Sequence, residues 1–297
     1  MKLCLGTVQF GSVYGIQGIG QPKHEAVYDM LSYSIERGIT YFDTASAYGE
    51  AEEVLGGFVR KYPDLACEMQ LISKLHPKTF MENNRDSWES VVEKKATESL
   101  RRLGIDHFSS YLFHDASLIF DKDAVKALSI VKRKGLSDNI GVSVYSPEEA
   151  MKSLEYDEIG TIQIPYNVFD RRLDKCSFFE KAKEKGIIVF ARSCLLQGLL
   201  MMEPIKLPDN VCFARKYLRQ YDDICNNYGV SKLCAAVGYV SQRKGIDFIV
   251  FGVDNKTQLE EFIKLGDNTI ISEEMAKKID QVFYDVPEKL VNPALWN

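Results

Sequence analysis

The sequence predicts an α/β protein, a single (β/α)8 barrel over residues 1–297, on three observations. A unit recurs along the chain: a charged helix end, then glycine, then Ile or Leu, then a short apolar run. Eight such apolar runs can be counted, the number that closes a parallel sheet on itself. No linker or low-complexity tract divides the chain.

The recurring unit stands at Gly38 (ERGITYFDT), Gly104 (RRLGIDHFSSYLFHD), Gly135 (KRKGLSDNIGVS), Gly186 (KEKGIIVFARS) and Gly245 (QRKGIDFIVFG). Lys or Arg in a last helical turn complements the negative end of the helix dipole. Glycine takes the left-handed conformation that stops the helix. Upstream of Gly38, the positions Ala26, Val27, Met30, Leu31 and Ile35 share one helical face. Ala124, Val125, Leu128 and Val131 do the same after Asp121 or Asp123, either of which can cap the start. Phe178, Phe179 and Ala182 mark a sparser helix over 174–185.

The runs read as strands are 3–8, 39–43, 70–74, 108–113, 139–143, 161–165, 187–191 and 247–251. They are short and almost wholly apolar, as strands covered on both faces must be. Strand, helix, glycine, strand implies parallel βαβ units. An open doubly wound sheet would want a glycine-rich turn directly after its first strand. The Gly15–Gly20 stretch comes too late and runs into Gln21-Pro22, so it reads as a loop.

Composition narrows the function. The net charge of -5 carries no basic excess for nucleic acid or an anionic membrane. No apolar run reaches the roughly 18–20 residues that span a bilayer. Glycine at position 6 interrupts the apolar N-terminus before a signal-peptide core forms, which points to the cytoplasm. The 7 cysteines include no CxxC pair, so they read as buried, reduced thiols rather than metal ligands.

In a barrel the chemistry lies at the C-terminal strand ends and in the loops after them. Polar residues end the apolar runs: Asp43, Lys74, His114, Ser143, Arg192 and Ser193, with Gln163 inside the sixth run. One such residue commonly does no more than cap a helix. Asp, Lys and His on three successive strand ends gather ionisable groups at one rim. Tyr48 lies five positions beyond Asp43, close enough to fold back over that rim. A free phenol titrates near pH ~10, too high for efficient proton donation. A lysine beside it should lower that value, and a carboxylate paired to the lysine orients the ammonium. A histidine beside the phenol can donate to a substrate oxygen. Such a set protonates a developing alkoxide, and a soluble hydride donor is the economical source of electrons.

The segments LGTVQFG (5–11), YFDTASAYG (41–49), LISK (71–74), YLFHD (111–115), GVSVYS (141–146), IQIPYNVFD (162–170) and ARSCLLQGLL (191–200) together resemble the aldo-keto reductase superfamily, in its order and over most of the chain. The resemblance implies an NAD(P)-dependent oxidoreductase acting on a small-molecule carbonyl. Tyr48 would be the general acid, Lys74 and Asp43 its tuning pair, and His114 the residue that orients the carbonyl. Ser143 and Gln163 would hold the nicotinamide carboxamide, Arg192 would stack on the ring, and Thr7, Ser193, Leu195 and Gly198 would line the cofactor channel. Gly252, Asp254 and Gln258 would lie at the adenosine end.

Three departures bear on the cofactor. Val144 stands where the family often has Asn. Phe251 stands where many relatives have Pro. Many relatives have, near the position of Gln258, an Arg that pairs with the 2′-phosphate of NADP; Gln258 cannot pair ionically, and Asp254 would repel that phosphate. NADPH is the family default and NADH an alternative, with Lys256 able to compensate if its loop brings it round. Candidate substrate-facing residues are Phe10, Tyr14, Tyr145 and Trp296, with Gln9, Val13, Tyr166 and Asn167 beside them. The short opening and its GQP turn resemble members found with surface-polysaccharide enzymes, which implies a sugar-like substrate. Two other readings stand beside this one: a barrel aldolase forming a Schiff base on Lys74, and a non-catalytic barrel that binds the cofactor as a sensor.

Overall fold

Eight parallel strands pair in sequence order: β1 (Lys2–Gly6), β2 (Tyr41–Asp43), β3 (Gln70–Leu75), β4 (Phe108–Phe113), β5 (Ser137–Ser143), β6 (Ile159–Pro165), β7 (Ile188–Arg192) and β8 (Phe248–Gly252). β1 also pairs with β8, which closes the barrel predicted from the sequence. The computed structural model describes residues 2–16, 18, 20–265 and 270–296. Among these, no helix is long and apolar enough to cross a membrane.

The five helix-stop glycines all have positive φ, from +66° at Gly186 to +94° at Gly245. A side chain there would strain the stop, so glycine is the residue that lets each helix turn directly into its strand. Asp121 caps its helix by accepting from the backbone N–H of Asp123 and Ala124. The expected 174–185 helix is a short 3-10 turn at Arg172–Lys175 followed by a helix over Phe178–Glu184. β1 stops at Gly6 rather than at residue 8, because Val8–Gly11 winds into a helical turn. β2 starts at Tyr41 rather than 39, because the Ile39 N–H still bonds the Ser34 carbonyl of the helix stop.

Side chains alternate along each strand. One phase fills the barrel interior with Cys4, Ile72, Leu112, Phe190, Phe248 and Val250. The other packs against the surrounding helices in a much larger core. Two residues further along the interior phase come Asp43 after Tyr41, Lys74 after Ile72, and His114 after Leu112. Ser143 follows Gly141, Gln163 follows Thr161, and Arg192 follows Phe190 in the same way. The polar rim is thus the last turn of the pleat.

Two glycines join the loops after β1 and β2. A Cβ on Gly11 would run into the Tyr48 carbonyl, and one on Gly49 into the Gly11 carbonyl. Gly49 also has φ +55°, and the Glu50 N–H bonds the Gly11 carbonyl at 3.2 Å. This close backbone contact seats the loop that carries Tyr48.

The cysteines correct one expectation. Cys4, Cys194 and Cys225 are buried free thiols, but Cys67 and Cys212 are exposed.

Candidate active site

A cavity of about 720 Å³ opens at the C-terminal end of the barrel. Of the residues singled out from the sequence, Thr7, Tyr14, Asp43, Tyr48, His114, Ser143, Tyr145, Arg192, Ser193, Leu195, Gly198, Gly252, Asp254 and Gln258 line it. One wall thus runs from the ends of β2 and β4 across β7 to the segment after β8.

At one end, Lys74 Nζ donates to both oxygens of Asp43 at 2.7 and 2.9 Å, and to the Thr44 carbonyl at 2.9 Å. Both partners are buried, Lys74 at 1% exposure. The same ammonium lies 3.4 Å from the Tyr48 hydroxyl and 4.9 Å from its ring centre. The His114 ring meets Tyr48 edge-on, 5.5 Å between centres. Lys74 does not line the cavity, whereas Tyr48 beside it does.

The electrostatics differ from the expectation for the phenol. Burial pushes the Tyr48 hydroxyl well above its usual range, and the Asp43 carboxylate and Tyr14 add to the shift, against a smaller lowering by Arg192. Lys74 does not reverse this, because its charge is already matched by Asp43 in a two-pronged contact. Tyr48 therefore keeps its proton throughout the neutral range. Burial, with Lys74, Arg192 and His76, pushes His114 down to about 3. The imidazole is neutral, and its buried Nδ1 has no partner among the described residues.

The His114 shift predicts a pH effect. A folded pKa below the unfolded 6.5 means the unfolded chain binds the proton first as pH falls. Stability should drop between pH 6.5 and 3 by up to about 1.4 kcal/mol per unit from this group. In urea unfolding at pH 7 and pH 5, His114→Gln should lose less stability on acidification than the parent. Equal losses would show that His114 does not titrate this way.

Four expected site residues sit elsewhere. Gln163 is buried and does not line the cavity; its amide Nε2 donates to Asp43 instead. Phe10 is fully buried in the sheet–helix core, turned inward by the Val8–Gly11 helical turn. Trp296 is 4% exposed and donates from Nε1 to the Lys289 carbonyl, anchoring the tail, while Asn292, Pro293 and Ala294 reach the cavity. Lys256 pairs with Asp29 at 3.0 Å and lies over Tyr33, away from the cavity it was expected to serve. Among the secondary candidates, only Gln9 lines the cavity. Val13 is exposed, Tyr166 is buried against Asp174, and Asn167 holds the Ser193 carbonyl at 3.1 Å.

The loop after β7 is unusual in its backbone. Ser193, Leu196 and Gln197 all have φ between +50° and +61°, a region that L side chains rarely occupy. The Ile16 N–H bonds the Gln197 carbonyl across the cavity at 3.3 Å, so the loops after β1 and β7 meet there. Ile16, Gln197, Met201 and Leu233 line the cavity and were not foreseen from the sequence. At the β8 end, Gln258 Oε1 accepts from the Asp254 N–H at 2.8 Å, and Glu261 joins the lining.

Comparison with known proteins agrees with the barrel fold. Residues 2–283 match the model of the aldo/keto reductase family. Aldo-keto reductase YhdN of Bacillus subtilis is 25% identical, over 98% of this chain and 92% of its own. The NADH-specific methylglyoxal reductase of Escherichia coli is 25% identical, over 94% of this chain and 96% of its own. Among solved structures, the thermostable aldo-keto reductase Tm1743 shares the fold with a TM-score of 0.70 at 24% identity, covering 94% of each chain.

Proposed function

Because the chain belongs to the aldo/keto reductase family of oxidoreductases, we propose that it reduces an aldehyde or ketone to an alcohol, with Tyr48 as the proton donor and NADH preferred over NADPH. What carries this reading is the convergence of Tyr48, His114 and the Lys74–Asp43 pair at one end of a single cavity.

The cavity fits a nicotinamide dinucleotide on its own evidence. Gln9 Oε1 and His114 Nδ1 are buried beside it with no partner among the described residues, and Gly252 and Gly198 add no side chain to its wall. Ser143, Ser193, Arg192, Thr7 and Leu195 would hold the nicotinamide half, and Gly252, Asp254 and Gln258 the adenosine half. Once bound, the cofactor supplies a hydride to the carbonyl carbon. Tyr48 then gives its proton to the carbonyl oxygen. The Lys74 ammonium, 3.4 Å away, stabilises the phenolate that remains. Neutral His114 can donate a hydrogen bond that fixes the carbonyl, since its N–H is present at any working pH. Lys74 is screened from the cavity and saturated by Asp43 and Thr44, which weighs against Schiff-base chemistry. The exposed rings of Tyr14 and Tyr145 suit stacking against a sugar-like substrate.

The cofactor preference rests on charge. Asp254 and Glu261 line the β8 end, and Lys256 is engaged by Asp29. A 2′-phosphate there would meet like charges and, among the described residues lining that end, no cation. Titrating the protein with each cofactor by fluorescence should give a Kd for NADH at least about tenfold below that for NADPH, a gap of ~1.4 kcal/mol. Gln258→Arg should narrow or invert the gap. Tighter binding of NADPH to the parent protein would reject the preference.

A further inference from the structure

Arg192 is the only Lys or Arg side chain among the described residues that line the cavity. Its guanidinium has three fixed contacts, all to neutral oxygens: Nε to Ser143 Oγ at 3.2 Å, Nη1 to Ser193 Oγ at 3.3 Å, and Nη2 to the Val144 carbonyl at 2.8 Å. One face rests on the Tyr145 ring, 4.4 Å from its centre. Among the described residues no carboxylate pairs with it. Its neighbours on the rim are different. Arg171 is paired with Asp280 at 2.5 Å, and Arg172 with Asp170 at 2.8 Å. Of the carboxylates that line the cavity, Asp43 is already taken by Lys74 and Gln163, and Asp254 and Glu261 lie at the β8 end.

A guanidinium has five N–H donors in one plane. Three are used here, so one remains on each Nη. A charge partly withdrawn from water and held only by neutral acceptors is costly, and an anion that docks on its free edge offsets that cost. The guanidinium donates at its edge and stacks with its faces, so reading an anion does not compete with stacking on a ring. The Arg192 charge reaches Tyr48, Tyr14 and His114 and lowers the pKa of each, against a stronger opposing pull of Asp43 at Tyr48. The acidic residues Asp254 and Glu261 belong to the segment after β8.

We infer that the substrate carries an anionic group, a carboxylate or a phosphate, and that Arg192 holds it while Tyr48 protonates the carbonyl. This rests on the carbonyl reduction proposed above and narrows its substrate class to small, negatively charged carbonyl compounds. Arg192 is thereby a specificity-determining residue.

Matched substrates test this. The parent protein, Arg192→Gln and Arg192→Lys are assayed by cofactor oxidation on two pairs. One pair is 4-carboxybenzaldehyde and its neutral methyl ester; the other is glyceraldehyde 3-phosphate and glyceraldehyde. In the parent, kcat/KM for the charged member of at least one pair should exceed that for the neutral member by about tenfold or more. The pair that shows the excess tells carboxylate from phosphate. In Arg192→Gln that ratio should fall about tenfold, through KM, whatever the absolute rate, and Arg192→Lys should restore part of it. A ratio that is the same in the parent and in Arg192→Gln overturns the assignment, as does a parent that favours neither charged member. Those results leave carbonyl reduction standing. Failure to oxidise NADH or NADPH with all four aldehydes overturns the reduction itself, and the assignment with it.

Discussion

Tyr48→Phe is expected to lower kcat for carbonyl reduction by about 10²–10⁴, the contribution of a positioned general acid. The change removes one oxygen from a ring that is held by the His114 edge at 5.5 Å and by the Lys74 ammonium at 4.9 Å. NADH should therefore still bind, and the loss should appear in the rate. Because burial and the Asp43 carboxylate hold the phenol well above its usual range, the acid form is present throughout the neutral region. The parent rate should show no fall from loss of that proton between pH 6 and about 9. Steady-state kinetics with a simple aromatic aldehyde decide the matter. A phenylalanine variant that keeps more than about a tenth of the parent kcat would remove Tyr48 from the role of acid.

Lys74→Met should cost stability as well as rate. The ammonium and the Asp43 carboxylate are both buried, and Asp43 accepts in addition from Gln163. Taking the lysine away leaves a carboxylate in the barrel interior without its counter-charge, a change that costs about 3–5 kcal/mol. The matching double variant Lys74→Met with Asp43→Asn carries no stranded charge and should recover part of that loss. Urea unfolding of the parent, the single and the double variant separates these outcomes. A single variant no less stable than the double would mean that the pair is not held as a buried ion pair. Catalysis should fall in both variants, since each removes the ammonium that lies 3.4 Å from the Tyr48 hydroxyl.

Most of the barrel was legible because two periodicities agree. The glycine stops mark where helices end, and the two-residue pleat carries each run of interior apolar residues up to a polar one. That is why Asp43, Lys74, His114, Ser143 and Arg192 could be read as one rim before any coordinates. The misreadings have local causes. Phe10 was read as part of the loop after the first strand, but the chain turns helical at Val8 and buries its ring. Gln163 has the right phase, but its Nε2 donates to Asp43 and the side chain is not part of the cavity lining. The phenol shift was misjudged because spacing reports which charges are near and not which are already matched. Gln197, Leu196 and Ser193 were out of reach for another reason: a left-handed backbone at a non-glycine residue leaves no mark in residue type. The lining by Asn292, Pro293 and Ala294 depends on how the tail packs, and tail packing has no period to read.

The interlock of Gly11 with the Gly49 turn has a consequence for anyone remodelling this barrel. Barrels of this kind are commonly treated as modular, with each rim loop exchangeable on a constant frame. Here the first two loops have backbones in direct contact, and neither glycine leaves room for a side chain. A graft that lengthens or re-angles the first loop would therefore move Tyr48 along with it. The two loops form one cassette, to be transplanted or diversified together, and the seam between independent parts falls after residue 51 rather than after β1.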